Sequence, residues 1–96
     1  MFWVYMLRCA DGSFYTGHTD DLERRIDQHV SGVVGCYTLA RRPIVLVYVQ
    51  ACESRIEALI AERQIKGWSR AKKLALIAGD WESINKLGRG KHRHQR

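Results

Sequence analysis

The chain predicts an α+β fold in which helices pack on a small, largely antiparallel sheet. Two short runs of aromatic and β-branched residues flank an Asp-Gly turn near the start, and one nearly continuous apolar run lies mid-chain. Most of the other apolar residues recur at helical spacing behind capping signals. The resulting order is two strands, a helix, a strand, then two or three helices. Strands and helices segregated in this way favour helices layered on an antiparallel sheet over an alternating, parallel arrangement.

The first two runs are Phe2 to Arg8 and Phe14 to Thr19, joined through Cys9-Ala10-Asp11-Gly12-Ser13. They read as a β-hairpin whose loop length decides which side chains share a face. A two-residue turn at Asp11-Gly12 would pair Tyr5 with His18 and turn Tyr5 and Tyr15 to opposite faces. A three-residue loop, Ala10 to Gly12 with Gly12 left-handed, pairs Cys9 with Ser13, Leu7 with Tyr15 and Tyr5 with Gly17. A shared cleft for the two phenols demands this second register, with Gly17 leaving the Tyr5 ring open space.

Asp20 followed by Glu23 is a capping box, and Leu22, Ile26 and Val30 fall on one stripe of a helix over about 20–31 that ends at Ser31-Gly32. After an irregular stretch, Pro43 opens Ile44-Val45-Leu46-Val47-Tyr48-Val49, which has the character of a central strand covered on both faces. Ser54-Arg55-Ile56-Glu57 is a second capping box, and its helix runs through Leu59 and Ile65 to a left-handed cap at Gly67. Ser69 starts a further helix ending near Gly79. Asp80 caps a last short one carrying Trp81, Ile84 and Leu87. One domain over 1–87 and a basic tail over 88–96 are expected.

A chain of 96 residues has apolar area for a single core, and 46% hydrophobic residues with one proline is far from a disordered composition. Cys9, Cys36 and Cys52 are odd in number and widely spaced, which suits reduced thiols rather than a zinc site or disulfide framework. The apolar start lacks a basic leader and is too short to span a bilayer, so a cytoplasmic protein with no membrane partner is expected. The net charge is +6 and uneven. Residues 1–62 hold six Lys/Arg against eight Asp/Glu, while residues 63–96 hold ten against two, a balance of +8. Such a footprint attracts phosphate backbones, although Lys91 to Arg96 also read as a solvated basic tail.

Four groups of residues carry candidate chemistry. Arg25 and His29 stand at i, i+4 beside the first helix's apolar stripe: a fixed cation for phosphate oxygens and a proton handler, or a snorkelling arginine over a satisfied histidine. Glu62 borders an apolar face formed with Ala58, Leu59 and Ile65. A carboxylate there must be paired, protonated or bound to a cation, and Lys66 at i+4 is an available partner. Lys66, Arg70, Lys72 and Lys73 surround Gly67-Trp68-Ser69, a phosphate-binding surface with a stacking ring, unless Trp68 is a core residue. Tyr5, Tyr15, Tyr37 and Tyr48 offer phenols, which near pKa ~10 are poor bases without a neighbouring cation. His92 and His94 are assigned no metal role.

Trp3-Val4-Tyr5 and Tyr15-Thr16-Gly17, about ten residues apart, resemble the two triplets that name the GIY-YIG nucleases, with Trp3 and Thr16 departing from the family residues. Gly17, Thr19, Leu22, Arg25 and His29 resemble the segment leading into that family's catalytic helix. Glu62 matches its metal-binding glutamate, and Ile65 to Arg70, Lys72-Lys73 and Leu76-Ile77 resemble its small single-domain members. The resemblance spans about residues 2–78. It implies a three-stranded antiparallel sheet with flanking helices and one Mg²⁺ or Mn²⁺ held by Glu62. It further implies transition-state stabilisation by Arg25, proton acceptance by Tyr5, and positioning or relay by Tyr15 and His29. Leu74 stands about where some relatives carry asparagine. The expected activity is structure- or lesion-directed DNA cleavage, as in DNA repair, with low sequence specificity because no second DNA-reading domain is present. The alternatives are a nucleic-acid-binding module with little or no cleavage, acting on DNA or RNA, or a nuclease subunit that needs a partner. Oligomeric state is not legible.

Overall fold

The computed structural model describes residues 1–32, 38 and 40–86, and the boundary between two compact units falls between Lys66 and Gly67. The first unit carries a three-stranded antiparallel sheet. Its strands are β1 (Phe2–Arg8), β2 (Phe14–Thr19) and β3 (Val45–Cys52), in the order β2-β1-β3. Val4, Tyr5, Met6 and Leu7 are all fully buried, so β1 is covered on both faces as well as paired along both edges.

The mid-chain apolar run was expected at the centre, and the structure corrects this. β3 is an edge strand on which Val45 is 50% exposed and Leu46 and Val49 are also exposed. A continuous apolar run carries no period to say which face is covered, and β1 takes the centre because it pairs with both other strands. The β1–β3 register shifts between Met6, opposite Tyr48, and Leu7, opposite Leu46, which leaves Val47 as the extra residue of a bulge.

The hairpin has the three-residue loop. Gly12 is left-handed with φ 84°, Cys9 N–H donates to the Ser13 carbonyl at 2.9 Å, and Tyr5 faces Gly17 while Leu7 faces Tyr15. Asp11 fixes the turn by accepting from Ser13 N–H at 3.0 Å and its hydroxyl at 2.6 Å. The loop is tied to the chain ahead of β3 as well: Ala10 N–H donates to the Arg41 carbonyl at 2.9 Å, and Arg41 Nε meets Asp11 at 3.1 Å.

Helix α1 (Leu22–Ser31) is capped by Asp21 rather than Asp20. Thr19 Oγ1 accepts from Asp21 N–H at 3.1 Å and brings Asp21, one residue later than the capping box suggested, into position to accept from Arg24 N–H at 3.2 Å. Gly32 closes the helix with φ 80°. The buried stripe also differs from expectation: His29 is its deepest residue, Leu22, Arg25 and Ile26 are half-buried, and Val30 is exposed. At about 100° per residue, Leu22, Arg25, Ile26 and His29 cluster about one direction that Val30 leaves by nearly a right angle.

Helix α2 (Arg55–Lys66) packs on β1 and β2 through buried Ala58, Glu62 and Ile65. Ser54 Oγ caps it, accepting from Glu57 N–H at 3.1 Å, while the Glu57 carboxylate accepts from Glu53 N–H, one residue before the partner a capping box uses. Gly67 does not take the left-handed conformation expected of it; among the described glycines only Gly12, Gly32 and Gly79 do. In the second unit, α3 (Arg70–Ala78) is capped by Ser69 and closed by Gly79 with φ 73°. Asp80 caps a short helix over 81–86 by accepting from Ser83 N–H at 3.2 Å. Ile84 is buried and Trp81 is 60% exposed. Leu87, the tail, Cys36 and Tyr37 lie outside the described residues, while Cys9 and Cys52 are buried free thiols. Among the described residues no helix is long and apolar enough to cross a membrane.

Gly17 leaves the space that the Tyr5 ring needs, and the ring fills it. A Cβ on Gly17 would lie 2.6 Å from Tyr5 Oη and 2.8 Å from Cζ, with Tyr15 Cε1 at 3.2 Å. Because the Tyr5 ring is buried among β1, β2 and α1, it cannot swing aside freely. Gly17→Ala is therefore expected to lower unfolding free energy by about 1–3 kcal/mol, the usual cost of overpacking, measured by urea denaturation. Wild-type stability would mean that the ring moves without strain.

Candidate active site

Tyr5 is placed by the central strand, Tyr15 by the facing strand and His29 by the third turn of α1. Strand register brings the two phenols to one face, with ring centroids 6.3 Å apart, and the His29 ring lies 5.7 Å from Tyr5 and 5.0 Å from Tyr15. Tyr5 Oη and His29 Nε2 are 2.9 Å apart, and His29 Nδ1 is 2.9 Å from Oγ1 of Thr38. His29 is 1% exposed with both ring nitrogens bonded, so it is the satisfied core histidine that spacing alone allowed. The partner that satisfies it is the candidate catalytic phenol.

Burial and the neighbouring Tyr15 push the Tyr5 phenol well above its ordinary range, and the nearby Arg25 guanidinium only partly offsets them. Burial, reinforced by Arg25, pushes His29 below the ordinary histidine range. At neutral pH the pair is therefore a neutral phenol hydrogen-bonded to a neutral imidazole. The imidazole, and not the phenol, is the group ready to take up a proton. Arg25 is half-buried beside both and lines a polar depression with Thr19, Asp20, Asp21, Arg24 and Gln28.

Glu62 reaches the sheet through His18, a residue that the sequence reading did not single out. His18 Nδ1 lies 2.7 Å from Glu62 Oε1, and Lys66 Nζ lies 3.0 Å from Oε2. Strand alternation puts His18 on the opposite face of β2 from Tyr15, so the strand residue that holds Glu62 is not on the face that carries the two phenols. The Glu62 charge is still felt at Tyr5, whose pKa it raises. Burial raises the Glu62 pKa, but the bonds from His18 and Lys66 outweigh it and hold the carboxyl below its ordinary range. The i+4 partner available in the sequence is thus in use.

Among the described residues no three His, Cys, Asp or Glu gather as a metal-ligand set. One ionised carboxylate is nonetheless a fitting anchor for a hard divalent ion that keeps most of its waters and takes phosphate oxygens as further ligands. Such an ion would compete with Lys66, which is half-exposed and able to leave. Of the other basic residues, Lys72 lies over the Trp68 ring, Nζ at 4.3 Å from its centroid, so that face of the ring is taken by a cation. Arg70 and Lys73 lie on α3 with Lys72, and Leu74 on the same helix is exposed.

Thr38 was also missed, since it falls in the irregular stretch where no periodicity marks it. His18 could have been noticed as the residue following the second triplet's glycine, but its pairing with a carboxylate 44 residues away has no local signal.

The His29 shift has a consequence for stability. The unfolded chain, whose histidine titrates near about 6.5, takes up the proton before the folded chain does. Stability should be fully present above that value and be lost as pH falls from about 6.5 toward the lower folded pKa. Urea midpoints at about pH 7.5 and pH 5 are expected to fall more in the wild type than in His29→Gln. Equal slopes would show that His29 is not held neutral.

Comparison with known proteins places the chain by family and by fold. The GIY-YIG catalytic domain model matches residues 1–75. A UPF0213 protein of Staphylococcus saprophyticus is 46% identical over 76 residues, covering 79% of this chain and 93% of the relative. Another, from Staphylococcus aureus, is 45% identical over 75 residues, covering 78% and 92%. The solution structure of the UPF0213 protein of Bacillus halodurans superposes with a TM-score of 0.54 at 44% identity, covering 91% of this chain and 97% of that one. A protein of E. faecalis gives 0.56 at 39%, covering 80% and 82%. The three-stranded antiparallel sheet with flanking helices is thus the fold these relatives share, and the chain belongs to the GIY-YIG family.

Proposed function

We propose that the chain is a metal-dependent endonuclease that hydrolyses phosphodiester bonds in DNA, directed by structure or lesion more than by sequence. The observation that carries this reading is the Tyr5–His29 pair: a buried phenol bonded to a neutral imidazole, with the Arg25 cation acting on both. A module that only binds nucleic acid needs a basic surface and has no use for such a pair.

Glu62 would hold the Mg²⁺ or Mn²⁺, which when bound supplies Lewis-acid charge to the phosphate and the leaving oxygen. The chain's own residues supply the rest. Water attacks phosphorus as Tyr5 accepts its proton and passes the phenolic proton to His29, while the bond from phosphorus to the leaving oxygen breaks and that oxygen is protonated from solvent. Arg25 counters the additional negative charge on the phosphorane-like transition state, and Tyr15 packs against both members of the proton-handling pair and holds them in place. Relaying through His29 answers the weakness of an unaided phenol as a base. Tyr5 never has to persist as tyrosinate.

The test is a panel of nicked, flapped, branched and single-stranded DNAs, with RNA counterparts, incubated with Mg²⁺ or Mn²⁺ and with chelator. Cleavage of branched or flapped DNA, absent with chelator, is expected; binding without any cleavage would overturn the reading. Glu62→Gln should abolish turnover in a folded protein, and retained activity would remove Glu62 as the metal carboxylate. Arg25→Ala should cut turnover on the order of a hundredfold with a smaller effect on affinity, as for a group acting on the transition state. A proportional loss of affinity at unchanged turnover would make Arg25 a binding residue.

Lys66, Arg70, Lys72 and Lys73 are proposed to carry the DNA backbone. Each lost phosphate contact should reduce the slope of log affinity against log salt by roughly one unit. Reversing the charges of Lys72 and Lys73 with no change in slope would place the DNA on another surface.

A further inference from the structure

We propose that Thr38 is a positioning residue that fixes the tautomer of His29, with the proton on Nδ1 and a bare Nε2 facing Tyr5. The inference rests on reading Tyr5 and His29 as the proton-handling pair. Thr38 Oγ1, His29 Nδ1, His29 Nε2 and Tyr5 Oη form one buried chain with a contact of 2.9 Å at each end of the imidazole. A neutral imidazole has one N–H and one lone pair, so the chain can run in two senses. Either the phenol donates to Nε2 and Nδ1–H donates to the threonine oxygen, or the threonine hydroxyl donates to Nδ1 and Nε2–H donates to the phenol.

The chemistry of the two ends selects the first sense. A phenol is a far stronger acid than an alcohol and gives its stronger hydrogen bond as donor to the most basic atom in reach, the imidazole lone pair. An alcohol oxygen accepts readily from an N–H. Only this tautomer leaves Nε2 able to receive the Tyr5 proton. In the other, Nε2 already carries hydrogen and the relay is closed. When the proton moves, the Tyr5 O–H bond breaks, a bond to Nε2 forms, and the imidazolium keeps its Nδ1–H on Thr38. The phenol oxygen regains a proton from the attacking water.

Thr38 is held for this role. It is fully buried, and its carbonyl accepts from Arg41 N–H at 3.1 Å, the same residue whose side chain and carbonyl tie down the hairpin loop. One end of the chain is thus tied to the hairpin loop through Arg41, and the other is carried by β1, the strand that enters that loop. The acceptor cannot drift from the ring.

The experiment is a long-range ¹H–¹⁵N correlation spectrum of the free, ¹⁵N-labelled full chain at about pH 7.5, with His29→Gln to assign the ring. The expected wild-type pattern has Nδ1 protonated and Nε2 bare. Thr38→Val, similar in volume but without an acceptor, should lose that preference and lower kcat roughly tenfold or more with DNA affinity unchanged. Thr38→Ser should restore both. An Nε2–H pattern in the wild type, or a Thr38→Val protein with unchanged spectrum and unchanged kcat, would overturn the proposal. The wild-type spectrum decides the assignment whatever the valine does to folding. The expected spectrum in a chain that cleaves no DNA upholds the tautomer and overturns the nuclease reading.

Discussion

The Tyr5 ring lies across Gly17, and the arrangement of the candidate site follows from that contact. Tyr5 belongs to a strand with no free edge and no free face, so its backbone cannot yield. Its ring can fold over the facing strand only where that strand has no side chain. Glycine there lets the phenol reach sideways toward α1 and meet His29, and the same register sets Tyr15 beside it. The register in turn depends on Gly12, because the left-handed residue makes the loop three residues long instead of two. Two glycines without side-chain chemistry thereby decide which phenols can act together.

Glu62 shows how a charge is kept at the edge of a core. Desolvation alone would favour the neutral acid, yet a histidine from β2 and a lysine one turn along α2 keep it ionised. The two partners differ in kind. His18 is carried by a paired strand and is only partly exposed, whereas Lys66 sits on a long, half-exposed side chain that loses rotamer freedom when it pairs. On the proposed reading, a cation arriving at this carboxylate would meet one fixed neighbour and one displaceable one. The release of Lys66 would add a positive charge to the surface at the moment the site is loaded.

What was legible in the sequence depended on how local its cause is. The hairpin loop, the Ser54, Ser69 and Asp80 caps and the Gly32 and Gly79 stops are decided by a few adjacent residues, and the structure has them. The Asp20 cap failed by one position because a threonine two residues before the actual cap shifted the turn, a bond that composition does not announce. The Ile44–Val49 run failed as a central strand because an unbroken apolar stretch reports hydrophobicity without reporting neighbours. The residues of the site were found chiefly through family resemblance, since periodicity left Arg25, His29 and Glu62 each with an ordinary structural explanation. His18 and Thr38 were invisible because their partners lie far off in sequence or in an aperiodic stretch.

For His29 and Glu62 the ordinary explanations are also the true ones, which alters how such residues should be weighed. His29 is a fully satisfied buried histidine and Glu62 is an ion-paired carboxylate, and neither fact argues against catalysis. A proton relay needs a base that is neutral, dry and oriented, and those are the properties of a satisfied core histidine. A cation anchor must stay ionised while empty, and pairing achieves this. What separates structure from function here is the identity of the partner. A histidine bonded only to backbone carbonyls would have no proton to receive, whereas His29 is bonded to a phenol under the field of Arg25, and each protonation state of the one constrains the other.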